Sequence, residues 1–288
     1  MPPKKKITVI LLVLSIVGVL GWTLTGSSNA STAVNPIVTK HKKIGKTDCQ
    51  ECHSAVVKHK ITHPVAEDCA GCHEYKETID SAEVKLVNPV PGLCFTCHSD
   101  KQEDFEKKKF KHAAAESDCT VCHSPHSADE PTLLKDKANQ LCFMCHSDQQ
   151  DEIEHKAFAH APIKDVGCST CHDPHTANFS PLLKVKVNEL CLTCHGLPVG
   201  DKPSQPVLTV ILHRPMPDKY SDKAKKIFLD RNGLGHPYFN HPVGGVPDPS
   251  QPGQMMTCLS CHNPHAGKVV QMYKADVGKQ ALCDKCHK

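Results

Sequence analysis

The chain has 288 residues and a formal net charge of +3, with 34 lysines and arginines against 31 aspartates and glutamates. The two signs are interspersed and form no basic stripe, which excludes a nucleic-acid binder. Aromatic residues make up only 5%, 22 prolines interrupt the chain, and 18 residues are cysteine; a conventional large core is excluded, and the cysteines must carry the architecture.

Lys4, Lys5 and Lys6 precede an apolar run from Ile7 to Trp22 and a small-residue site at Ser28-Asn29-Ala30. This is the layout of a secretory signal peptide, residues 1–30. Gly26 and the polar Ser27, Ser28 and Asn29 favour cleavage after Ala30. The alternative is an uncleaved anchor that leaves the protein membrane-associated, since the run approaches the ~20 residues of a bilayer span. Either way the body of the chain is exported, with the periplasm as the expected site and outer-membrane association or an extracellular location as alternatives. Removal of residues 1–30 takes away lysines but no acid, leaving a formally neutral polypeptide.

Every cysteine falls in the pattern Cys-x-x-Cys-His, which occurs nine times. The pairs are Cys49 and Cys52, Cys69 and Cys72, Cys94 and Cys97, Cys119 and Cys122, Cys142 and Cys145, Cys168 and Cys171, Cys191 and Cys194, Cys258 and Cys261, and Cys283 and Cys286. The histidines that follow are His53, His73, His98, His123, His146, His172, His195, His262 and His287. Two thiols on one helical turn add across the two vinyl groups of a porphyrin, and the adjoining histidine turns onto the iron. The motif therefore reads as covalent c-type haem attachment with a proximal ligand. Disulfides place no constraint on the residue after each pair. Zinc needs two pairs, or two cysteines and two histidines, per ion, and an odd number of pairs does not tile into such sites. A thioredoxin-like motif occurs once per domain, inside a strand and helix pattern absent here. Nine c-type haems, each with its iron, are expected, and no catalytic residue.

Roughly 30 residues per motif is below the ~40 at which a domain needs cofactors or cross-links to hold together. Haem insertion and folding should be coupled. The predicted fold class is mostly short α-helices and coil with little or no β, an elongated multihaem array of repeated two-haem units with the haems forming the core.

The units follow in chain order. A first haem unit, 31–60, carries one motif. A two-haem unit spans 61–110, and further doubled units span 111–159, 160–196 and 239–288. The interval from Cys119 to Cys168 equals that from Cys142 to Cys191, and such a period marks a repeat array. Ile61-Thr62-His63, Phe110-Lys111-His112, Phe158-Ala159-His160 and Phe239-Asn240-His241 open the doubled units, and Leu133-Leu134-Lys135 and Leu182-Leu183-Lys184 separate the motifs of two of them. Ser99-Asp100 and Ser147-Asp148 are predicted helix N-caps. The basic cluster Lys107, Lys108, Lys109 and Lys111 and the acidic cluster Asp148, Asp151, Glu152 and Glu154 read as solvated faces. The insert 197–238 holds five prolines from Pro198 to Pro217, an apolar run Val207 to Leu212 and a predicted short helix from Ser221 to Asp230. It reads as a surface loop over a haem edge, with a docking element for a redox partner as the sharper alternative.

Twelve of the 21 histidines lie outside the motifs, slightly more than one per motif, so the sixth iron position is expected to be histidine too. The opening slots nominate His63, His112, His160 and His241 as distal ligands. His126, His175 and His265 stand three residues after a motif histidine, on the same side of a helical turn. Both rings of such a pair cannot bind one iron, so the later one is expected to reach a neighbouring haem. His41 and His59, flanking the first motif, complete the predicted distal set. His155, His213 and His236 read as surface or structural histidines. Methionine would raise the potential, but Met216, Met255, Met256 and Met272 fit no repeat slot.

The runs CTVCHSPH (Cys119 to His126), CSTCHDPH (Cys168 to His175) and CLSCHNPH (Cys258 to His265), each followed by a leucine-preceded second motif, resemble the doubled CXXCH domain of multihaem cytochromes c. The resemblance covers roughly residues 60 to 288 and departs in the unit from Cys69, where Glu74-Tyr75-Lys76 follows His73. It implies periplasmic or outer-membrane electron transfer in anaerobic, often metal-reducing, bacteria. With two imidazoles on each iron no position is open to substrate, so the expected function is a low-potential electron relay. Expected partners are an inner-membrane quinol-linked donor, other multihaem cytochromes or an outer-membrane conduit. The alternatives are a multihaem reductase of a small oxyanion with one open haem, and a subunit of a conducting filament.

Overall fold

The computed structural model describes residues 39–41, 49–195, 235–236, 241–274, 282–284 and 286–287. The expected signal segment and most of the insert, including its apolar run and predicted helix, lie outside the described residues. Among the described residues no helix is long and apolar enough to cross a membrane.

Each first motif of a doubled unit is a single helical turn: Cys69–Cys72, Cys119–Val121, Cys168–Thr170 and Cys258–Cys261. The turn closes on the motif itself, as the His123 N–H donates to the Cys119 carbonyl at 3.0 Å. A short polar residue starts three of the four, with Asp118 accepting from the Thr120 N–H at 2.7 Å, since the opening N–H groups have no partner within the turn. Second motifs end the helices Gly92–Phe95, Ala138–Phe143 and Val187–His195.

Helices Ser99–Lys107 and Ser147–His155 follow two second motifs. The predicted caps are displaced by one residue. His98 and His146 hold the N-cap positions, and Ser99 and Ser147 are already helical. The His98 carbonyl accepts from Lys101 N–H at 3.1 Å, so the backbone of the motif starts the helix without a serine cap. Phe105 and Ile153, at matching positions, are the buried side chains of the two helices.

Among the described residues the β structure is one three-stranded sheet and four two-stranded ladders, all antiparallel. Strands β1 (Thr39–His41), β3 (His73–Glu77) and β4 (Ala82–Leu86) form the sheet, with β4 central. The ladders join β2 (Ile61–Thr62) to β6 (Ser127–Ala128), β5 (Phe110–Lys111) to β8 (Thr176–Ala177), β7 (Phe158–Ala159) to β11 (Ala266–Gly267), and β9 (Gly235–His236) to β10 (His241–Pro242). Three of the four tie the opening strand of one unit to the strand after the first motif of the next.

Buried apolar side chains among the described residues number nine, and four of them are alanines. Ala128, Ala177 and Ala266 sit in the ladders, where small residues let the strands approach closely. Gly267 is required there, because a Cβ at this position would lie 2.6 Å from the Met272 Cα. So few buried groups cannot hold a chain of this length by hydrophobic burial alone.

Candidate haem sites

The first motif of each doubled unit is clasped by the segment that follows it. Ser124, Asp173 and Asn263 N–H groups donate to the carbonyls of Leu133, Leu182 and Met272 at 2.8, 2.9 and 2.7 Å. Lys135 and Lys184 N–H groups return to the Cys122 and Cys171 carbonyls at 2.9 and 3.1 Å. In the 61–110 unit the β3–β4 hairpin serves instead, with His73 paired to Leu86 and the Val87 N–H donating to the Cys72 carbonyl at 3.0 Å. The leucine landmarks of the sequence are thus one strand of a clasp.

The clasp fixes the motif imidazole. His123 Nδ1 lies 2.9 Å from the Thr132 carbonyl, His172 Nδ1 2.9 Å from that of Pro181, and His262 Nδ1 2.7 Å from that of Gln271. A carbonyl only accepts, so Nδ1 carries the proton and Nε2 keeps the lone pair. This outer hydrogen bond sets the tautomer and ring orientation a metal ligand needs.

Six motif rings each face a histidine from outside the motifs. The pairs are His98 with His63, His73 with His126, His146 with His112, His123 with His175, His195 with His160, and His172 with His265. Every third-position ring faces a motif ring of the preceding unit, and the opening-slot rings of His63, His112 and His160 face the second motif of their own unit. Centroid separations all fall between 6.0 and 6.3 Å, while interplanar angles run from 15° to 60°. Direct aromatic contact depends on mutual orientation, so a fixed distance with free rotation needs another cause. An imidazole nitrogen sits ~2.0 Å from a first-row metal ion, so two rings on opposite sides of one ion place their centroids about 6 Å apart.

Burial favours the neutral, ligating form of these rings. His160 is lowered to about 4, first by burial and then by the facing His195. Burial, reinforced by the opposing motif ring, also lowers His63, His112, His126 and His265. Asn263 Nδ2 holds Glu152 Oε1 at 2.7 Å, and Glu152 Oε2 approaches His265 Nδ1 at 3.9 Å. A carboxylate on that side orients the ring and favours Nε2 as its free nitrogen.

A continuous cavity of about 3530 Å³ runs along these pairs, several times the roughly 300–1,000 Å³ of an ordinary ligand pocket. All nine motif histidines and the six facing rings line it, with cysteines of every motif. Thiols on one side, paired imidazoles across a gap and apolar walls fit a tetrapyrrole with two axial ligands. A family model described as the doubled CXXCH motif matches residues 63–103, 112–151, 160–197 and 251–288, more than half of the chain. The chain is a multihaem c-type cytochrome of the doubled CXXCH motif family. No curated protein matches it.

In the cytochrome, successive motifs are neighbours in space. Across the unit boundaries the first thiol of a second motif meets the first thiol of the next unit, as Cys94 with Cys119, Cys142 with Cys168 and Cys191 with Cys258. Within units, Cys122 is raised by burial and then by Cys145, Cys171 is pushed up to about 11 by burial and then by Cys194, and Cys261 is raised by burial and then by Cys286. The series is unbroken from Cys94 to Cys286. It also passes the insert, because Asn188 Oδ1 accepts from the Cys258 N–H at 2.9 Å as Asn139 Oδ1 does from Cys168 at 3.1 Å.

The predicted distal residues separate into groups. His63, His112, His126, His160, His175 and His265 are the facing rings. The side chains of His41 and His241 lie outside the described residues. His59 is placed otherwise: its Nδ1 is 3.2 Å from Asp129 Oδ2, its side chain is 54% exposed, and among the described residues no ring pair joins it to a motif histidine. The Asp129 contact, the bond from the His59 N–H to Ser127 Oγ and the bond from the Lys60 N–H to Asp129 Oδ1 hold it at the outer edge of the β2–β6 ladder. His155 is likewise external, paired with Asp151 at 3.0 Å. Lys107, Lys108 and Lys111 pair with Glu103, Asp104 and Glu116. The reading of the motifs missed Asn139, Asn188, Glu152 and the clasp carbonyls. Asn-x-x-Cys at Asn139 and Asn188, and a constant offset from motif histidine to carbonyl, were the available signals.

Proposed function

We infer that the protein carries nine haems, each held between two histidines, and relays electrons among redox partners at low potential. The observation behind this is the set of six ring pairs at one separation and many rotations. Bound haem supplies one-electron chemistry at its iron, and histidine on both faces keeps the potential below that of a methionine-ligated centre. The protein's own residues do the rest. Cysteines hold the tetrapyrroles in chain order, clasp carbonyls fix the proximal tautomers, and the ladders carry the opposite rings. His63, His112, His126, His160, His175 and His265 are the distal ligands supported by geometry, with His241 assigned by its repeat slot and His41 by its place beside the first motif.

The relay operates after export, in the periplasm, between an inner-membrane quinol-linked donor and other multihaem cytochromes or an outer-membrane conduit. Anaerobic or extracellular respiration is the process such a path serves. The purified protein should show nine haem adducts by mass spectrometry, purely low-spin ferric resonance, and no carbon monoxide uptake on reduction. Stoichiometric carbon monoxide binding would reveal an open iron, defeat the relay reading and favour a reductase.

A further inference from the structure

The ladders obey a rule. His63 donates its backbone N–H to the His126 carbonyl at 2.8 Å, His112 to His175 at 2.9 Å, and His160 to His265 at 2.9 Å. Each ladder therefore holds a cross-strand histidine couple. One member faces the second-motif ring of a unit, and the other faces the first-motif ring of that same unit: His98 and His73, His146 and His123, His195 and His172.

The β9–β10 ladder contains the same couple. His241, in the opening slot of the 239–288 unit, pairs in antiparallel register with His236, and here the couple is itself a rung. The strand opposite the slot comes from the insert, which precedes it, and not from a later unit. The rule gives His241 to the second motif, His287. It gives His236 to the first, His262.

We propose that His236 is the axial ligand opposite His262, so that the insert supplies a haem ligand to the unit it precedes. This assignment rests on the bis-histidine reading. It also explains the strand that holds a single histidine. The 31–60 segment carries one motif, and its β1 places His41 opposite Ala82, not opposite a second histidine. The paired strands then provide one non-motif histidine per motif throughout. His59, ion-paired with Asp129 at the surface, is not required.

The test uses the full holoprotein and its His236→Ala and His59→Ala variants. After reduction, His236→Ala takes up one equivalent of carbon monoxide, with one of the nine haems turned high-spin in the ferric state and returned to low-spin by added imidazole. His59→Ala takes up none. Equal silence in the unsubstituted protein and His236→Ala overturns the assignment while leaving bis-histidine ligation standing. Uptake by the unsubstituted protein defeats the bis-histidine reading instead. Should the alanine variant not accumulate, His236→Met keeps a ligand and raises the potential of one haem. An unchanged redox titration of that variant overturns the assignment as well.

Discussion

Thr132, Leu133, Leu182 and Met272 adopt φ of 56°, 59°, 56° and 51° although none is glycine. This conformation costs an L-residue roughly 1–2 kcal/mol. In each clasp a left-handed residue directly follows the carbonyl that accepts from a motif His Nδ1, so the strain aims the acceptor at the ring. Thr132 is the most replaceable, since it is β-branched and exposed. Thr132→Gly should raise stability by up to about 1 kcal/mol, relief of strain outweighing added chain entropy. Chemical denaturation of the holoprotein checks this, and the haem spectrum should not change because the accepting carbonyl remains. Residue-scale features of this kind were only half legible beforehand. The motif histidines announce themselves, whereas the carbonyls that orient them belong to Thr132, Pro181 and Gln271, which share no residue type.

At the scale of elements, two-residue ladders are too short to persist alone. Three of the four hold because each is stitched at its end by the backbone bond between two histidines, and because small residues close the gap. Gly267 is the tightest point. A methyl group there meets the Met272 backbone at 2.6 Å, on the clasp that positions His262. Gly267→Ala should therefore destabilise by about 1–3 kcal/mol through overpacking. On the proposed ligation it should also make part of the His172 and His195 haems high-spin, since His160 and His265 directly flank β7 and β11. Thermal unfolding and electron paramagnetic resonance report the two effects separately. The short helices were legible from motif spacing. The ladders were not, because strands of two residues leave no alternation to read.

For the whole molecule, the described polypeptide buries few apolar groups and surrounds a large apolar cavity. Cofactor attachment is then part of folding, as in small metal-nucleated domains. Chain produced without haem attachment should be protease-sensitive and show no cooperative thermal transition by circular dichroism. A sharp transition in haem-free chain would mean that the protein has a core of its own. The repeat arrangement also explains how an insert is tolerated. Asn188 bonds the Val243 carbonyl at 2.8 Å and the Cys258 N–H, so the contact between neighbouring units is rebuilt across the excursion.

The cofactor type and the two-motif period were legible in sequence alone, because thioether attachment uses residues within one helical turn. Which imidazole opposes which was decided only in three dimensions. Those partners come from separate turns and strands, often in different units, and antiparallel register alone brings them across one gap. The same reason underlies the proposal for His236, which rests on its position on a ladder, whereas proximity to a motif along the chain suggested His59.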